Sequence, residues 1–143
     1  MPIVGPITSD FVSNATTTTN ESVTGMSFPV ASGRMYKFKF HVLLTVAATT
    51  TGVELAVDTP ALTVGAWGSH VPTTTTAITF ATGTDDAGGV NTDTAVAAGT
   101  FATVEGFARP SADGSIALRI DTDAAAAATV KAGSFIEYRD CGV

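Results

Sequence analysis

The residues of this 143-residue chain that invite a chemical reading are two histidines, an acidic Gly-rich segment, one tryptophan and one cysteine. A hydrolase or transferase needs a base within reach of a nucleophile, or paired acids across a cleft. His41 sits on the polar side of the alternating run "RMYKFKFHVLLTV", where an imidazole is expected to be solvated or paired with a carboxylate. His70 lies in "WGSHVP", read as a turn. No G-x-S-x-G, H-E-x-x-H, P-loop or dinucleotide fingerprint occurs, and the chain is read as non-enzymatic. The segment "TGTDDAGGVNTD" gathers Asp85, Asp86, Asn91 and Asp93, oxygen ligands of the kind calcium takes, but without EF-hand spacing. Asp, Asn and Gly also gather in turns for local backbone reasons, so a solvated inter-strand loop is expected, with no metal and no cofactor. Cys141 is the only cysteine, which excludes an intrachain disulfide and any zinc site built on a Cys/His cluster.

Trp67, the only tryptophan, stands in "ALTVGAWGSH". If Leu62, Val64 and Ala66 face the core, Trp67 falls on the opposite face, where it would anchor a subunit contact or stack on a sugar. A bulge at Gly65 or Gly68 would return it to the core. Core and interface both stay open at this point.

The elements that must position these residues are strands. Charged residues make up only 14% of the chain, well below the roughly 25% of a typical soluble domain. A surface rich in Thr and poor in charge is what paired antiparallel sheet leaves exposed. In the opening run, Tyr36, Phe38, Phe40, Val42, Leu44 and Val46 share one side, and Lys37, Lys39, His41 and Thr45 the other. In "VELAVD", Val53, Leu55 and Val57 alternate with Glu54 and Asp58, and a hairpin with the preceding run would set Asp58 beside His41. "ALTVGAW", "TTAITFAT", "GTFATVEGFAR", "SIALRID" and "SFIEYRD" follow, separated by Gly, Pro and Asp turns. "SIALRID" places Ile116, Leu118 and Ile120 inward and Ala117 and Arg119 outward. "DAAAAATV" is too short for a stable helix and is read as loop or weak strand. About eight strands without an amphipathic helix predict an all-β fold, an antiparallel β-sandwich or jelly roll, with the aromatic residues nearly all in its core.

Residues 1–24 read as an extended N-terminal arm with at most one edge strand, and residues 25–143 as the single sandwich domain. Pro2 and Pro6 favour extended backbone, while Ile3, Val4, Ile7 and Phe11 are apolar anchors that a free arm would bury on a partner. The net charge of −6 argues against binding bare nucleic acid. The basic residues are nevertheless grouped: Arg34, Lys37 and Lys39 share one strand, and Arg109, Arg119, Lys131 and Arg139 fall in the last third. Lys37 and Lys39 are candidates for contact with an acidic protein surface. The longest apolar run is too short to span a bilayer, and "MPIVGPITSD" has neither the basic head nor the apolar core of a signal peptide, so no membrane role is expected.

The segment "SFPVASGRMYKFKFHVLLTVAATTTGVELAVDTPA", with "TVKAGSFIEYRDCGV" at the end, resembles a pattern recurrent in virion proteins of tailed bacteriophages. In that pattern a small-residue turn opens an aromatic strand, an Ala-Thr-Thr-Thr-Gly turn reverses it, a shorter strand ends in Pro-Ala, and a strand after "KAGSF" closes the chain. The match runs over roughly residues 22–143. The long aromatic strand and the late "GSF" strand are also similar to the trimeric tumour-necrosis-factor and C1q jelly rolls. The resemblance implies a capsid decoration (cement) protein: a homotrimer on the virion's capsid surface, made in the host cytoplasm, with the major capsid protein as partner and no catalytic residues. A receptor- or glycan-binding tip domain of a fibre or tail component is the alternative. Under either reading, the interface candidates are Ile3, Val4, Ile7, Phe11, Lys37, Lys39 and Trp67.

Overall fold

The computed structural model describes residues 2–14, 20–47, 52–72, 78–83, 100–122 and 126–143, of which 78–83 by backbone alone. The acidic segment with Asp85, Asp86, Asn91 and Asp93 lies outside the described residues, as do most of "AATTTG" and residues 123–125 of the alanine run. Eleven strands occur among them: β1 (Ile3–Val4), β2 (Phe11–Val12), β3 (Glu21–Val30), β4 (Met35–Val46), β5 (Val53–Asp58), β6 (Leu62–Pro72), β7 (Ile78–Gly83), β8 (Thr100–Pro110), β9 (Gly114–Thr122), β10 (Ala128–Val130) and β11 (Phe135–Gly142). The large sheet runs β1-β11-β4-β8-β6-β7, with β10 joining β2 to the end of β4, and the small sheet runs β3-β9-β5. Every pairing is antiparallel. The protein is an antiparallel β-sandwich of the jelly-roll class.

The parity of β4 holds. Tyr36, Phe38, Phe40, Val42 and Leu44 are buried and Val46, expected with them, is half-buried against the core, whereas Lys37 is exposed and Lys39, His41 and Thr45 are half-buried. These large side chains stand opposite small ones on β8, because cross-strand neighbours on one face share a fixed space: Tyr36 pairs with Ala108, Phe38 with Gly106, Phe40 with Val104 and Val42 with Ala102. From the small sheet Phe28 reaches into the centre. Its ring stacks on Tyr138 at 4.4 Å and lies 6.0–6.4 Å from Tyr36, Phe38 and Phe40.

The expected hairpin between β4 and β5 does not form. Both edges of β4 are taken, one by β8 and the other by β11 and β10, so β5 crosses to the small sheet and pairs with β9. There Val53, Leu55 and Val57 are buried as expected, but so are Ala56 and, on β9, Ala117.

The N-terminal residues are laid on their own domain. Two short strands form where at most one was expected, and β3 begins at Glu21, within the span read as arm. The Ile7 N–H donates to the Ser134 carbonyl (2.9 Å) and the Gly133 N–H to the Ile7 carbonyl (2.9 Å). The Ser13 N–H donates to the Ala128 carbonyl, and the Ser13 hydroxyl accepts the Ala128 N–H in return. Asp10 pairs with Lys131 and accepts the Ala132 N–H at 2.8 Å. The Ile7 side chain lies over Gly25: a Cβ there would meet Ile7 Cγ2 at 2.9 Å, and the φ of 82° at Gly25 is one that side chains rarely adopt.

Candidate functional site

The outer face of the large sheet is where unused chemistry collects. On β4, β8 and β11 the residues that turn away from the core line up in rows across the strands. Phe135, His41 and Thr103 form one row, Glu137, Lys39 and Glu105 the next, and Arg139, Lys37 and Phe107 the third. Ile3 of β1 extends the middle row, being opposite Glu137, and His70 of β6 extends the first, being opposite Thr103. His70 is therefore mid-strand and not in a turn.

Among the described residues six large apolar side chains are exposed, and five of them stand on this face: Ile3 (60%), Val12 (59%), Val64 (46%), Phe101 (48%) and Phe107 (45%). Sequence reading placed nearly all aromatics in the core. Phe101 and Phe107 are outside because the inward positions of β8, which lie against the aromatic side of β4, are filled by Ala102, Val104, Gly106 and Ala108. The signal was present in "FATVEGFAR", whose small residues Ala102, Gly106 and Ala108 share the parity that faces Phe38 and Tyr36.

The charges on this face are mostly matched. His41 Nε2 lies 3.1 Å from Glu137 Oε2, and its ring stacks on Phe135 at 4.3 Å and 11°, with Phe101 at 5.8 Å. Lys39 Nζ lies 3.2 Å from Glu105. At the rim, Arg34 Nε binds Asp140 at 2.5 Å, which together with the Gly142 N–H holds the Asp140 carboxyl below the usual carboxylate range. Beside these pairs Met35, Tyr36, Lys37, Glu105, Gly106, Phe107 and Cys141 line a hollow of about 440 Å³. At Gly106 the β6 backbone comes so close that a Cβ would lie 2.4 Å from the Ala66 carbonyl oxygen and 2.7 Å from Trp67 Cα.

The other interface candidates divide by face. Ile3, Lys37 and Lys39 are brought together on the outer face of the large sheet. Val4 and Phe11 pack against the core, and Ile7 is inside it at 9% exposure, so these three are not free anchors. Trp67 is 4% exposed and belongs to the core. The register of β6 on β8 shifts between Leu62 and Val64, earlier than either glycine considered, and the shift turns Val64 out and Trp67 in. A sugar platform or subunit anchor at Trp67 is thereby ruled out in this fold.

A second cluster lies on the small sheet, where Asp121 pairs across the strands with Glu54 and lies near Glu21. Burial pushes the Asp121 carboxyl above its ordinary value; the two neighbouring carboxylates add to this, and the Thr122 N–H donated to it works the other way. Among the described residues no group of three or more His, Cys, Asp or Glu is placed to hold a metal ion, and no helix is long and apolar enough to cross a membrane.

No protein-family model matches the chain, and no curated protein matches it. Among solved structures, one described as "Structure of infectious bursal disease virus Gx strain" aligns over 96% of this chain and 35% of that one, at 11% identity and a TM-score of 0.25. The chain thus spans about a third of that protein, and a superposition of this quality carries no inference about fold or function.

Proposed function

We propose that the chain is a non-enzymatic structural protein of a virion, a capsid decoration (cement) protein that binds the major capsid protein and stabilises the shell. One observation supports this reading above the others: the exposed large apolar side chains are concentrated on one broad sheet face. Monomeric proteins scatter such residues, and their concentration on one face marks a surface that another protein covers. The face is built on strands rather than loops, which suits attachment to a regular lattice. Many copies making modest contacts add stability to the lattice by mass action and avidity. Self-association as a homotrimer belongs to the same proposal, since closed symmetry hides part of a weakly charged surface.

The test is a copy count by mass spectrometry on purified particles that carry the chain. Hundreds of copies per particle are expected for a decoration protein, and a handful would refer the chain to the tail. The second reading, a receptor- or glycan-binding tip, is favoured by the exposed rings of Phe101 and Phe107 and weakened by the burial of Trp67. A low copy number with saturable binding to host-surface glycans would select it.

A further inference from the structure

We infer that one end of this face, centred on Lys37, Arg139 and Phe107, is a docking site for an acidic protein segment that inserts an apolar side chain into the adjacent hollow. The inference names the partner of the surface described above and rests on reading the chain as a binding subunit.

The starting point is an imbalance. The chain carries a net charge of −6, yet this end of the sheet has a surplus of cations. Lys37 and Arg139 are directly opposite each other in the β4–β11 register, and both are exposed. Like charges at directly opposed positions destabilise a sheet. Of the nearby carboxylates, Glu105 is paired with Lys39 and Asp140 with Arg34, and Glu137 lies 3.1 Å from His41 Nε2. Arg109, two residues beyond Phe107 on the same side of β8, adds a third cation, whose Nε is buried without a hydrogen-bond partner. Three basic side chains thus stand along the rows that carry an exposed phenyl ring, and no ion pair is made by any of them among the described residues. An anionic surface docked here would find these cations open to pairing.

The hollow supplies the other half. Its volume of about 440 Å³ lies within the roughly 300–1,000 Å³ of ordinary ligand pockets. Met35, Phe107 and Cys141 give it apolar walls, and Lys37 lines it together with Glu105, which is paired with Lys39. An aromatic or aliphatic side chain fits there while neighbouring carboxylates reach Lys37 and Arg139. Exposed charges steer association and fix register more than they add affinity, so the apolar anchor is needed for a stable complex.

The experiment is a binding titration by fluorescence anisotropy, using a short labelled synthetic peptide of Glu and Asp around a single Phe. Wild-type protein is compared with Lys37→Gln/Arg139→Gln and with Ser22→Glu/Ser27→Glu. The second variant makes the same change in net charge at exposed positions on β3. Matching melting curves for the three proteins establish that all are folded. The peptide is expected to bind the wild type and the β3 variant alike and the sheet-face variant about tenfold more weakly. Binding is also expected to weaken when Phe is replaced by Ser, and to fall steeply between 0.1 M and 1 M salt, where the screening length drops from about 10 Å to about 3 Å. Equal binding by all three proteins, equal binding of a peptide with Lys in place of the acids, or stronger binding of oligothymidylate would each overturn the inference. So would sedimentation showing that the wild type self-associates and the Lys37→Gln/Arg139→Gln variant does not, since a second copy would then cover the patch. Peptide binding without high copy number on particles removes the decoration role alone, whereas high copy number without peptide binding removes this inference alone.

Discussion

Replacing Ile7 with Ala decides whether the N-terminal residues belong to the domain or to a partner. The Ile7 side chain is 9% exposed and covers Gly25, and the backbone on either side of it is bonded to Gly133 and Ser134. The substitution removes three carbons from this site. At about 0.8 kcal/mol for each buried methylene, that amounts to about 2.4 kcal/mol. A cavity would add to the loss, but the site is at the rim of the core, where neighbours can settle inward. The expected cost is therefore about 2–3 kcal/mol, in the lower part of the range of about 2–5 kcal/mol for such truncations. Ile3→Ala is the control: Ile3 is 60% exposed, and its loss should cost about 0.5 kcal/mol or less. Urea midpoints analysed with a common slope measure both. Amide exchange gives an independent view, with the N–H groups of Ile7 and Gly133 expected to be protected. Equally small losses for both variants, with rapid exchange at residues 7 and 133, would refute the reasoning and return Ile7 to the free arm expected from the sequence.

Two further predictions concern the interior and the small sheet. Phe38→Ala should cost about 3–5 kcal/mol in chemical denaturation, since its ring is 1% exposed and lies among Phe28 and Phe40, whereas Lys37→Ala should change stability by about 0.5 kcal/mol at most. Asp121→Asn should stabilise the protein near pH 7 and lose that advantage in acid: burial raises the folded-state carboxyl pKa above 3.8, so the Asp121 contribution to stability is fully present below 3.8 and is lost as pH rises through the folded pKa. Thermal melts of the two proteins from pH 3 to pH 8 check this, and parallel pH profiles would contradict it.

What the sequence made legible was the facing of residues, and what it concealed was the pairing of strands. Alternation in β4 identified its buried side because one polar face and one apolar face suffice to fix orientation. The same alternation in β5 correctly turned Val53, Leu55 and Val57 inward, but alternation does not name a partner, and the neighbour is β9 in the other sheet. Trp67 was left undecided because one register shift between Leu62 and Val64 exchanges the faces of everything after it. The outer face of the large sheet was half legible. Lys37 and Lys39 were found by charge, and Ile3 by its apolar character. Phe101 and Phe107 were missed because hydrophobic character alone points inward, and only the bulk of Tyr36, Phe38 and Phe40 on the adjacent strand explains why phenyl rings stand outside.

The proposed decoration role is tested most directly by rebinding to particles stripped of the protein. Wild-type chain and Phe101→Ser/Phe107→Ser are added at equal concentration, and occupancy is read by quantitative mass spectrometry after the particles are separated from free protein. Both rings are exposed, so the variant should keep its melting temperature within a few degrees. Central aromatic side chains carry most of the energy of such contacts, and removing two of them should lower occupancy by about tenfold or more. Undiminished occupancy of the folded variant would contradict attachment through the outer face of the large sheet.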